Sequence, residues 1–151
     1  MKIEHRLGVQ APAPLVWEIV HDLDRWSEWN PVYREVRGRV GYGETLKLRV
    51  ALPDQPERDL VATVIDWSPN EALHWRVSML GGLVRTIRYL EIEAMSDTGC
   101  VFSNGEIFRG LLGLTVARRV RASVKAGFIA FGEAVRDRAE ALFRERGAGT
   151  T

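Results

Sequence analysis

From residue 114 to residue 146 the chain contains no proline, and its large apolar side chains fall on one stripe. Val116, Val120, Val124, Phe128, Phe131, Val135 and Leu142 recur three, four or seven residues apart, which predicts one long amphipathic helix. Such a helix would run for roughly 50 Å and must bury its stripe against something else in the chain. Nearly everything before it alternates with a period of two. The constraint is therefore one helix packed on one sheet.

The strands read as follows. Residues 2–9 alternate Ile3, His5, Leu7 and Val9 on one face. Pro12 and Pro14 then open a short helix carrying Leu15, Val16, Ile19 and Val20, and a second short helical segment, 24–29, stops at Asn30-Pro31. Six further strands are expected over 32–40, 45–52, 60–67, 73–79, 84–95 and 100–108, separated by turn sequences such as Pro53-Asp54-Gln55-Pro56 and Asp97-Thr98-Gly99. Residues 1–146 form one domain, and 147–151 read as a disordered tail. The class is α+β, a six- to seven-stranded antiparallel sheet with a long C-terminal helix.

Composition removes several functions. Twenty-one Lys+Arg against 20 Asp+Glu leave a net charge of +1, without the basic excess of a nucleic-acid module. One cysteine, Cys100, excludes a disulfide framework and a cysteine zinc site. His5, His21 and His74 fall on three different elements, so no metal is expected. No Gly-x-Gly-x-x-Gly segment, phosphate loop or Gly-x-Ser-x-Gly elbow occurs, so no cofactor is expected. No apolar run approaches the ~18 residues of a membrane span. The N-terminus shows no apolar signal region, and a cytoplasmic protein is expected.

Four segments in order carry a family resemblance. Trp26-Ser27-Glu28-Trp29-Asn30-Pro31 resembles a Trp-x-x-Trp-Asn-Pro segment, and Gly41-Tyr42-Gly43-Glu44 a Val-Gly-Glu turn. Leu73-His74-Trp75, with Pro69 before it, is similar to a Leu-x-Trp strand. Gly105-Glu106-Ile107-Phe108-Arg109-Gly110-Leu111-Leu112 resembles a Gly-Glu-x-Phe-x-Gly-Leu-Leu exit into the last helix. All four are features of the START-like (SRPBCC) superfamily, in its bacterial polyketide-cyclase-like branch. The resemblance implies a helix-grip fold, a curved sheet wrapped around the C-terminal helix. It also implies binding of lipids, quinones or polyketides, with catalysis in only some members.

Strand parity supplies candidate site residues. Leu90 and Ile92 face inward with Thr86 and Arg88, and Phe102, Asn104, Glu106 and Phe108 share the inner face of the next strand. If Ser96 pairs with Cys100, Leu90 faces Glu106, and Arg88 lies diagonally near enough to form an ion pair with it. That pair has three readings: a structural neutralisation, a polar anchor for a ligand, or a catalytic couple in which Arg88 stabilises an enolate and Glu106 moves a proton. The helix contributes Val120, Val124, Phe128 and Phe131. Trp29 and Asn30 follow the short helices that in this fold lie near the cavity mouth. Small residues on the helix, Gly127 and Gly132 among them, either leave room inside or permit close packing.

The expected function is binding of a small hydrophobic molecule between sheet and helix. The alternatives are a polyketide aromatase/cyclase or dehydratase acting in the same cavity, and a protein-interaction module of the heat-shock ATPase activator type. Arg118, Arg119 and Arg121 form either a solvated helix face or one that attracts an anionic surface.

Overall fold

The computed structural model describes residues 1–148 of the 151-residue chain. Strand β1 (Lys2–Val9) leads to helix α1 (Ala13–His21) and a 3₁₀ helix (Leu23–Glu28). Strands β2 (Tyr33–Arg37), β3 (Thr45–Val50), β4 (Arg58–Ser68), β5 (Ala72–Met79), β6 (Val84–Ser96) and β7 (Gly99–Arg109) follow, and helix α2 (Gly113–Ala148) closes the chain. The seven strands form one antiparallel sheet in the order β1-β7-β6-β5-β4-β3-β2, curled around α2. This is the helix-grip architecture. Helix α2 continues through Gly147 and Ala148, two of the five residues read as a tail. No proline stops it there, and one glycine costs a helix only about 1 kcal/mol. Residues 149–151 lie outside the described residues.

Asn30 launches β2. Its Oδ1 accepts the backbone N–H groups of Val32 and Tyr33, both at 2.9 Å, which turns the chain sharply around Pro31. The Trp26 indole N–H donates to the Val20 carbonyl at 3.0 Å and ties the 3₁₀ helix to α1. Trp26 then packs edge-on to Phe131 of α2, with ring centroids 5.5 Å apart. Trp29, Tyr33 and Phe102 also pack on Phe131, and Trp75 extends this aromatic core by packing on Trp26 and Tyr33.

The β6–β7 hairpin corrects the expected register. Ser96 pairs with Gly99 across a two-residue turn, and a bulge between Ala94 and Ser96 then brings Ala94 opposite Cys100. A two-residue turn alone would have put inward residues opposite outward ones. The extra residue at the bulge restores the match of faces. Arg88 therefore lies directly opposite Glu106, and Leu90 opposite Asn104.

Two glycines on α2 bring the helix close to its neighbours. A Cβ at Gly127 would sit 2.7 Å from Leu52, and one at Gly132 would sit 2.9 Å from the His5 ring. At both positions the space is occupied by a packed side chain.

Candidate functional site

A cavity of about 100 Å³ lies between the first half of α2 and the concave face of the sheet. Its walls are built by alternation: Leu48 and Val50 from β3, Leu60 from β4, Trp75, Val77 and Met79 from β5, and Phe108 from β7. Helix α2 closes it with Val116, Val120, Val124 and Phe128 at helical spacing. Leu52, Gln55 and Pro56 of the β3–β4 connection and Arg58 at the start of β4 form a rim, and the Gln55 amide reaches Ser123 of α2 at 3.5 Å.

Two polar side chains interrupt this apolar wall from inside. Glu106 is surrounded by protein yet keeps some accessible surface, because that surface belongs to the cavity. Burial pushes its carboxyl above the usual range, and the Arg88 guanidinium pulls it back without cancelling the effect. Thr86, buried on the same face, lies near enough to favour the charged form. Its hydroxyl nevertheless has no hydrogen-bond partner of good geometry. Tyr33 is the second group. Its hydroxyl accepts the Arg88 Nε–H at 2.9 Å, and no acceptor among the described residues takes the hydroxyl's own hydrogen. Burial, opposed by Arg88, holds the Tyr33 phenol protonated to higher pH than usual.

Arg88 organises this region from behind the wall. It is 1% exposed and does not line the cavity. Its Nη1 donates to the Tyr89 and Gly105 carbonyls, both at 3.1 Å, and its Nη2 to Asn104 Oδ1 at 2.9 Å. The guanidinium also sits 4.0 Å from the Phe128 ring centroid. Asn104 passes the link on by donating from Nδ2 to the Phe128 carbonyl of α2 at 3.2 Å. The expected Arg88–Glu106 ion pair does not form within 4.0 Å, although the two residues face each other across the strands. Four hydrogen bonds and the aromatic faces occupy the guanidinium instead.

The expected ligand-binding residues separate into groups. Glu106, Phe108, Val120, Val124 and Phe128 line the cavity. Leu90, Ile92, Phe102 and Phe131 face inward as parity predicts but lie in the solid core. Arg88 and Asn104 form the buried network, Asn30 serves as the turn residue, and Trp29 packs on Trp26 and Phe131. Sequence reading missed Tyr33, Leu48, Val50, Leu60, Trp75, Val77, Met79, Val116 and the rim. The alternation of Leu46, Leu48, Val50 and Leu52 marked an inner face, but only the curl of the sheet decides which part of it meets empty space. Among the described residues no three His, Cys, Asp or Glu side chains stand together as a metal site. No described helix is long and apolar enough to cross a membrane.

The fold and its internal cavity place the chain among the helix-grip, START-like domains. It belongs to the family described as polyketide cyclase / dehydrase and lipid transport, whose sequence profile matches residues 1–136. It is similar in structure to the ZhuI aromatase/cyclase of a Streptomyces species, at a TM-score of 0.72, 20% identity and 93% coverage of both chains. Norcoclaurine synthase of Thalictrum flavum, solved as a point mutant, superposes at a TM-score of 0.71 and 15% identity over 97% of this chain and 96% of the other. A START superfamily protein of Mycobacterium smegmatis gives 0.71 and 17% over 93% and 98%. At such identities the likeness establishes the fold. No curated protein matches the sequence.

Proposed function

We propose that the protein reversibly binds a small, largely apolar molecule, such as a lipid, quinone or polyketide fragment, in the cavity between α2 and the sheet. The observation that carries this reading is Glu106, a carboxyl whose remaining exposure is directed into an otherwise apolar pocket. Apolar burial supplies affinity, and Glu106 with the free Tyr33 hydroxyl hydrogen supplies orientation. A cavity of about 100 Å³ is narrow beside the ~300–1,000 Å³ of typical ligand pockets, so larger ligands require it to widen.

The test is titration with the neutral dye phenylnaphthylamine, read by energy transfer from Trp75 and the other tryptophans. Val120→Phe, which fills the cavity, is expected to weaken dye binding at least about tenfold, equivalent to 1.4 kcal/mol. Equal affinity in the two proteins would sink the proposal.

The same carboxyl supports a second reading as a polyketide aromatase/cyclase or dehydratase. A carboxyl with raised proton affinity on a mostly apolar wall is suited to general acid–base work at an enolisable carbon. Under that reading Glu106→Gln abolishes turnover of a poly-β-ketone thioester while sparing its binding. If turnover survives the substitution, the enzymatic reading fails.

A further inference from the structure

Two loops at one end of the sheet carry exposed leucines. Leu80 and Leu83 belong to the β5–β6 turn, and Leu111, Leu112 and Leu114 to the passage from β7 into α2. Leu111 is 89% exposed and Leu80 63%. The loops are joined, since the Leu112 N–H donates to the Leu83 carbonyl at 2.9 Å. Gly110, at φ +94°, lies so close that a Cβ would stand 2.4 Å from that same carbonyl oxygen. The five leucines therefore make one apolar tip.

The tip has features a merely solvated loop would not need. Leu80 adopts φ 53°, a left-handed conformation that costs a leucine free energy, and does so with its side chain in water. Arg85 and Arg109 lie directly opposite each other across β6 and β7, a repulsive pairing. Arg118, Arg119 and Arg121 follow on α2. Among the described residues none of these five arginines forms an ion pair or donates a side-chain hydrogen bond, although most other surface arginines do. From residue 107 to residue 132 there is no Asp or Glu, within a chain otherwise balanced between 21 bases and 20 acids.

An apolar tip ringed by unpaired arginines is complementary to a surface with an apolar interior and anionic headgroups. We infer that this end of the molecule docks on an anionic lipid bilayer, with the leucines at the acyl boundary and the arginines on the headgroup phosphates. Met79, next to Leu80, and Val116, two residues after Leu114, both line the cavity, so docking would bring the bilayer beside the pocket.

Co-sedimentation of the full chain with phosphatidylcholine vesicles, with and without phosphatidylglycerol, tests it. Binding is expected only with phosphatidylglycerol and is expected to weaken with added salt. The pair Arg118→Gln/Arg119→Gln should lose about fivefold per arginine. The pair Leu111→Ser/Leu114→Ser should lose about tenfold or more. Both pairs alter exposed side chains, so unchanged thermal melting certifies the fold. Failure to bind phosphatidylglycerol vesicles at low salt would overturn the inference, as would binding that neither pair weakens. Capture of a soluble acidic protein by this tip without vesicle binding would also overturn it. A cavity-filled Val120→Phe protein that still sediments would separate docking from ligand binding.

Discussion

Beyond Phe128, helix α2 lies on a solid surface. Phe131 is fully buried, with Trp26 at 5.5 Å, Tyr33 at 5.9 Å and Phe102 at 6.0 Å between ring centroids, and Val135 and Ala139 continue the contact. Before Phe128 the same stripe of the same helix, Val116, Val120 and Val124, faces a hollow. Periodicity does not distinguish the two halves. What differs is the make-up of the opposing residues: Trp26, Trp29, Tyr33 and Phe102 crowd onto Phe131 at one end, while at the other most are aliphatic, Leu48, Val50, Leu60, Val77 and Met79, with Tyr33, Trp75 and Phe108 the exceptions. Small side chains on a curled sheet cannot reach a helix held off by large ones. The aromatic end thus holds the other end open.

The largest effect should come from breaking the solid half. Phe131→Ala is expected to cost about 3–5 kcal/mol in chemical denaturation, because four rings lose a common neighbour. A loss below about 1 kcal/mol would show that the two halves are packed alike. Next is the boundary between them. Arg88→Met removes donors from Tyr33, Asn104 and two carbonyls, and should cost about 3 kcal/mol.

On the hollow side the effects are smaller. Val124→Ala should cost only about 1 kcal/mol, since part of its surroundings is already empty. The least is expected from Glu106→Gln, and it depends on pH. The folded protein holds the Glu106 proton more tightly than the unfolded chain does. The stability this lends is complete below about pH 4.5 and is lost as pH rises through the folded value. Melting curves across this range should show Glu106→Gln falling less steeply than the parent toward neutral pH. Parallel curves would mean that the carboxyl is not desolvated.

Much of this architecture could be read from the chain, because a period of two and a period near 3.6 are hard to confuse over long runs. The order of one strand, two short helical segments, six further strands and one long helix followed from that contrast. The hairpin register did not, since a bulge near Met95 follows from no turn residue that could be named beforehand. Parity placed Arg88, Asn104 and Glu106 on the inner face. It could not supply Tyr33, which lies 55 positions from Arg88 and meets it only because the sheet curls. The cavity wall from β3 to β5 was hidden for the same reason, as a face can be identified from sequence but the curvature of that face cannot.

The hydrogen bond from Asn104 to the Phe128 carbonyl fixes one point of α2 to the sheet. From there back to Gly113 the helix extends roughly 22 Å as an arm. A tilt of only about 5° around that fulcrum would displace the arm's far end by about 2 Å. Such a tilt would change the cavity volume without a change of rotamer, and the Leu111–Leu114 end, tied to the β5–β6 turn by the Leu112 N–H, is where a displacement would act at the longest distance from that point.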